Sequence, residues 1–220
     1  MRPGRATGRS VPHARVRRDG AVGATFGAVA SYPGTLSLRD ARRRYFDANG
    51  FGEDGGYAKR WVKVKVGPAA FWFPNTQGRV RAVRYHDLHH VATGYDTDLA
   101  GEAEIAAWEI ASGCRGFFAS WWLNLVAMCF GLFLAPGRIF RAFVRGRHTR
   151  NLYGEHLDEE LLARSVSDVR SGLGLAGAVP PASPADRLAF AGWSLAALAA
   201  YALQSAALVA PVALVVMSLV

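Results

Sequence analysis

The sequence predicts a mainly α-helical fold: a helical bundle with a metal-binding helical hairpin, plus a C-terminal hydrophobic membrane-anchor helix. Three observations predict it. His86 and His90 stand four apart, so a helix would place both on one face, and Glu102 follows after an eleven-residue gap. Residues 152–173 carry Leu157, Leu161, Leu162, Val166 and Val169 at helical spacing. Residues 188–220 contain no charge, and that run exceeds the roughly 20 residues needed to cross a hydrocarbon layer.

The elements follow in order. Residues 1–35 are rich in Arg, Gly and Ala without a helical or strand period, and read as a disordered basic arm. Residues 36–178 form the metal-binding domain. Ser37 caps a helix through Tyr45 and Phe46, which Asn49-Gly50 stops. A loop at 52–56 precedes a short alternating strand at 61–66. Pro68 and Pro74 bound Phe71-Trp72-Phe73, which reads as core in preference to a membrane-interface patch.

Asn75 or Thr76 then starts a helix through Val80, Val83 and His90, ended by Gly94. Thr97 or Asp98 caps the next helix, over 99–112. Two helices joined by a short loop therefore carry His86, Asp87, His90 and Glu102 on facing surfaces. Two imidazoles with one or two carboxylates suit a divalent ion, and zinc, iron or manganese fit the spacing alike. His89 lies within the same cluster, and Glu109, two turns beyond Glu102, is either an outer support of the site or an exposed helix residue.

The uncharged run 116–136 is long enough to span a bilayer, but a crossing there would separate the metal domain from Arg138, Arg141, Arg145, Arg147 and Arg150. It reads as a buried or membrane-dipping helix. The basic cluster beside it suits anionic lipid headgroups. Residues 179–187 are a Pro-rich linker to the anchor at 188–220.

The chain has 220 residues and a formal net charge of +9. Over residues 1–40 seven Arg face two Asp, over 41–115 eleven basic groups face nine acidic ones, and over 116–187 eight face six. The excess is thus concentrated in the arm, and no zinc-finger, RNP or helix-turn-helix pattern accompanies it. Nucleic acid is excluded as the partner. Two cysteines are too few for a disulfide framework.

His86-Asp87-x-x-His90, an eleven-residue gap and Glu102 resemble the metal signature of the coenzyme Q (ubiquinone) biosynthesis protein 4 family. Arg42-Arg43-Arg44-Tyr45-Phe46-x-x-Asn49-Gly50-Phe51 resembles the stretch that precedes that motif, and Glu155-His156-Leu157-Asp158-Glu159-Glu160 its acidic tail. The resemblance covers about residues 36–175. It implies a helical, dimeric, peripheral membrane protein, with zinc as the metal and His86, Asp87, His90 and Glu102 as ligands. It also implies oxidative decarboxylation at ring carbon 1 of a prenylated quinone precursor, or a lipid-binding scaffold that organises the other quinone biosynthetic enzymes. The implied location is the cytoplasmic face of a bacterial inner membrane or the matrix face in mitochondria. His89 has no counterpart in that pattern. His86-x-x-His89-His90 also matches one histidine box of membrane desaturases, but six histidines in all are too few for their several boxes. The His-Asp phosphohydrolases need an upstream histidine, and none lies between His13 and His86.

Overall fold

The computed structural model describes residues 32–66 and 69–218, so the arm at 1–31 lies outside the described residues. Residues 32–35, assigned by sequence to the arm, instead join the domain. Tyr32 leans on the core, and the Gly34 carbonyl accepts from the Ser167 backbone N–H and hydroxyl at 3.0 and 2.9 Å.

Helix α1 spans Leu38–Asn49. The Ser37 hydroxyl accepts the Asp40 N–H, and Gly50 ends the helix with a φ of 67°, a conformation that costs glycine nothing. Strands β1 (Trp61–Val66) and β2 (Ala69–Pro74) then form an antiparallel hairpin that pairs Trp61 with Pro74 and Lys63 with Trp72. The expectation that Phe71-Trp72-Phe73 is core therefore fails at its centre. Trp72 is 60% exposed, and the Lys63 ammonium sits 4.9 Å from its ring centre. Side chains alternate across a strand, so one face of a two-stranded ribbon is left to solvent.

The bundle follows. Helices α2 (Gln77–Thr93), α3 (Leu99–Ser112), α4 (Phe118–Leu134) and α5 (Pro136–Arg147) surround α3, the most deeply buried of them. Trp108 is fully buried and its indole N–H reaches the Thr149 hydroxyl at 2.9 Å. Truncating such a side chain costs about 3–5 kcal/mol. Gly131 and Gly146 let α4 and α5 approach closely. A Cβ at the first would stand 2.5 Å from that of Ala103, and one at the second 2.4 Å from the Trp108 carbonyl oxygen.

The amphipathic stretch 152–173 does not form one helix. It breaks into a 3-10 turn (Leu152–Gly154) and two short helices, α6 (Glu159–Ala163) and α7 (Val166–Leu173). Between them the backbone turns extended and pairs with the start of α1. The Leu38 N–H donates to the Arg164 carbonyl at 2.9 Å, and the Val166 N–H to the Leu36 carbonyl at 2.8 Å. Asp158 and Ser165 each cap a fresh helix start, so local hydrogen bonding overrides the continuous apolar period.

Helix α8 spans Pro184–Ser218, which shortens the predicted linker. Ser183 and Asp186 cap its start reciprocally, each accepting the other's backbone N–H at 3.2 and 3.0 Å. The Asp186 carboxylate also holds Arg147, at the end of α5, and His148, just beyond it, at 3.3 and 3.2 Å. Residues Pro184–Ala207 are long and apolar enough to cross a membrane, with hydropathy 1.3 and an 18-residue window of which only 11% is buried. One flank packs on α4 and α5. Trp193 stacks on Trp121 at 5.2 Å, Tyr201 meets Phe130 at 5.2 Å, and Phe190 meets both Phe140 and Phe143.

Candidate metal centre

The two ligand-bearing helices form where their end signals place them. The Thr76 hydroxyl caps α2 by accepting from Arg79 N–H, and Gly94 closes it with a φ of 77°. Asp98 caps α3 by accepting from Gly101 N–H at 2.7 Å. Position 101 must be small, since a Cβ there would lie 2.2 Å from the Asp96 carbonyl oxygen. This close turn brings the first turn of α3, with Glu102, onto the last turns of α2.

Three predicted ligands converge. The Nε2 atoms of His86 and His90 are 3.2 Å apart. Glu102 places Oε2 3.3 Å from the first and Oε1 3.5 Å from the second. Ligand atoms around a four-coordinate zinc with bonds of about 2.1 Å are roughly 3.4 Å apart. The imidazole separation and the Oε2–His86 distance match that edge length, and one ligand atom from each of the three residues lies within 4.8 Å of the others, so the donor set fits a divalent ion. Among the described residues these are the three metal-ligating side chains that come together. The Glu102 side chain is 39% exposed, against 1% for His90, so the site opens on the glutamate side.

The imidazoles are held from behind. His90 Nδ1 donates to the Tyr95 carbonyl at 2.9 Å. His86 Nδ1 lies 3.0 Å from Glu109 Oε1. Acceptors at both Nδ1 atoms direct both Nε2 lone pairs towards the shared point, the arrangement of outer-shell partners that orients metal-bound histidine.

Glu109, weighed by sequence as either a supporting residue or an exposed one, is fully buried. Besides His86 it accepts from His89 Nδ1 at 2.6 Å, Asn124 at 2.5 Å and the Tyr153 hydroxyl at 2.8 Å. His89 is likewise fully buried and turned away from the metal triad. Its Nε2 accepts the Leu152 N–H at 2.9 Å, so its proton must sit on Nδ1, facing Glu109. It joins α2 to the 3-10 turn and is spoken for at both nitrogens.

Asp87 is not brought to the triad. One carboxylate oxygen accepts the Tyr57 hydroxyl at 2.5 Å, and successive helix positions point in different directions. Tyr57 in turn lines a shallow cleft of about 700 Å³, walled by Arg42, Phe46, Arg84, Leu157 and Leu162. The cleft and the metal triad are thus separated by the Tyr57–Asp87 pair.

Burial alone would push His86 towards its neutral form, but Glu109 and Glu102 outweigh it and hold its pKa well above 6.5. Burial opposes ionisation of Glu102 too, yet hydrogen bonds from His86 and His90 bring it down to about 2. His89 goes the other way, since desolvation lowers it despite Glu109. Burial raises Asp87, with the Tyr57 bond opposing. A metal ion entering the triad must therefore displace a proton from His86.

Sequence reasoning did not find Tyr45, whose ring stacks on His90, nor the Tyr95 carbonyl, nor Asn124 and Tyr153 at Glu109. Asn124 carried a readable signal: a lone amide inside the uncharged run 116–136 needs a buried partner.

The predicted headgroup cluster is largely used inside the molecule. Arg138 holds Glu104 at 2.6 Å, Arg145 donates to the Thr93 carbonyl, Arg147 pairs with Asp186 and Arg150 caps the Gly172 carbonyl. Of the five, Arg141 has no such partner among the described residues. No protein-family model, curated protein or solved structure matches this chain, so the residues and their geometry alone carry its assignment.

Proposed function

We propose that this is a membrane-associated, metal-dependent protein of ubiquinone biosynthesis that takes part in oxidative decarboxylation at ring carbon 1 of a prenylated quinone precursor. The observation that carries the reading is the triad: His86, His90 and Glu102 brought together, both imidazoles fixed from behind, and the Glu102 side open to solvent. Structural zinc sites close all four positions with protein, whereas catalytic ones keep one free. The apolar surroundings support a lipid substrate. The same end of α3 that bears Glu102 packs on the last turns of α4, through Ala103 and Gly131, and α4 there exposes Phe133 and Leu134. A prenyl tail could lie along that surface while its ring reaches the triad.

His86, His90 and Glu102 would hold the ion, which would supply Lewis acidity or, as iron, redox capacity. Zinc is the ion we favour, with iron or manganese as the others the donor set accommodates. Glu109 fixes His86 by accepting a hydrogen bond from its Nδ1–H, and the Tyr95 carbonyl accepts one from His90 Nδ1–H. Overall, a ring carboxyl, molecular oxygen, two electrons from an external two-electron reductant and two protons would give a ring hydroxyl, carbon dioxide and one water. We place the protein at the cytoplasmic face of a bacterial inner membrane or the mitochondrial matrix face, in a homodimer alongside other quinone biosynthetic enzymes.

Lipid profiling by mass spectrometry tests the reading. A deletion strain should accumulate a carboxylated, prenylated ring precursor, and the wild-type chain should clear it while His90→Ala does not. Normal quinone levels with His90→Ala would overturn it. The alternative reading, a non-catalytic lipid-binding scaffold, is favoured by the extent of exposed apolar surface on α4 and α8. It predicts that shortening α8 disperses partner enzymes while His90→Ala leaves quinone synthesis intact.

A further inference from the structure

One basic region takes no part in the metal centre. Between Asp54 and Asp87 the chain carries seven Lys and Arg and no acid. The β1–β2 ribbon occupies the middle of that stretch, and cross-strand partners share a face. Val62 pairs with Phe73, both half-buried, and the Arg79 guanidinium of α2 lies 5.3 Å from the Phe73 ring centre. The other face carries Trp61 and the Lys63–Trp72 pair. Trp61 is 53% exposed and Trp72 60%. Lys63 beside them is exposed, as are Lys59 and Arg60 at the foot of β1.

The ribbon is clamped at its base. The Asn75 backbone N–H donates to the Arg60 carbonyl at 2.9 Å, and its side-chain amide to the Lys59 carbonyl at 2.8 Å. Two large indoles held outside on a fixed scaffold mark a surface made to be covered. Their chemistry names the cover. An indole has an apolar body and one N–H, and settles at the boundary between hydrocarbon and headgroups. Lysine lays its alkyl stem along apolar groups and keeps its ammonium among the headgroups. Among the described residues the Lys and Arg ion pairs lie elsewhere, at Arg39, Arg43, Arg138 and Arg147. Lys59, Arg60 and Lys63 therefore keep their charge for an outside anion. The region is also continuous with exposed apolar surface. Arg81, one turn into α2, sits 5.3 Å from the Phe117 ring centre, and Phe118, which opens α4, is 80% exposed. Single-stranded nucleic acid offers phosphates and flat bases too, but the exposed apolar flank of α8 favours a bilayer.

We propose that the outer face of the β1–β2 ribbon, with Trp61, Lys63 and Trp72, is a second membrane contact that lies in the headgroup layer and selects anionic over neutral phospholipid. The inference rests on the membrane-associated reading above. It adds a contact and a lipid preference that an uncharged helix such as α8 does not supply.

The test assembles the full-length chain, labelled with 5-fluorotryptophan, into lipid nanodiscs. One set is phosphatidylcholine alone, the other equal parts phosphatidylcholine and phosphatidylglycerol, and both carry a trace of headgroup spin-labelled phosphatidylcholine. Trp61→Phe and Trp72→Phe assign the two fluorine lines. In the anionic discs both lines should broaden at least about threefold more than in the neutral ones, and the line of buried Trp108 in neither. Joint Lys59→Gln and Lys63→Gln should return the two lines to their neutral-disc width, with the Trp108 line unmoved as the check on folding. Trp61 and Trp72 lines left sharp in anionic discs would overturn the inference while the membrane reading stands, and so would equal broadening in the two lipids. A single-stranded oligodeoxynucleotide that shifts both lines where phosphatidylglycerol does not would overturn it in favour of a nucleic-acid face. Failure of the chain to co-elute with either disc would remove the membrane reading, and this inference with it.

Discussion

The α2–α3 hairpin and the α4–α8 pair bury their contacts in opposite chemical currencies. In the hairpin, side chains such as Glu109 and His89 are fully buried and polar, and both have their hydrogen-bonding atoms matched. In the α4–α8 pair the contacts are mainly aromatic stacks such as Trp121 on Trp193, while Phe118 and Phe133 stay 80% and 74% exposed. A satisfied buried polar network fixes one geometry, because every alternative leaves a donor or acceptor bare. Apolar contact is non-directional, and large apolar groups left outside suit a hydrocarbon medium. The first region is built for positional accuracy, the second for its surroundings.

Breaking the hairpin should give the largest effect. His90→Ala should abolish stoichiometric zinc binding, lowering affinity by at least about 100-fold in a competition titration. Because the ion must displace the proton that Glu109 and Glu102 hold on His86, zinc affinity of the wild-type chain should fall as pH drops from about 8 towards 6. Flat affinity across that range would show that His86 is already neutral.

Glu109→Ala comes next. It strands donors from His86, His89, Asn124 and Tyr153 inside the core, and should cost about 3–5 kcal/mol in denaturant unfolding. A cost under about 1 kcal/mol would mean that the network adds little to stability.

The apolar region should yield less to any single change. Trp193→Ala loses the stack on Trp121 from a half-buried site, and should cost about 2 kcal/mol in thermal or chemical unfolding in detergent. The smallest effect concerns the arginines. Arg141→Gln should weaken binding to anionic vesicles about fivefold, the equivalent of about 1 kcal/mol. Arg138→Gln should weaken it less, because that guanidinium already holds Glu104. Equal losses would show that both reach the headgroups.

The parts of the fold legible in sequence were those with local rules. Ser37, Thr76 and Asp98 cap their helices and Gly50 and Gly94 end theirs, since caps and left-handed stops act within a few residues. His86, His90 and Glu102 met as their spacing predicted. Asp87 sits among them in the chain, yet the direction of its side chain was settled by Tyr57, thirty positions away. The apolar period of 152–173 was visible, but not the pairing with residues 36–38 that breaks it.

By itself, the sequence determined where α1, α2 and α3 begin and end, that two of them carry three metal ligands within reach of one another, and that a long apolar helix follows. Only the tertiary structure decided that Glu109 anchors His86, that Tyr45 lies on His90, and that four of five arginines in the basic cluster are taken up internally. Periodicity and capping are short-range and can be read along the chain. The choice of partner for a buried charge is set by side chains 44 positions apart, as for Tyr153 and Glu109, and exists only once the helices have packed.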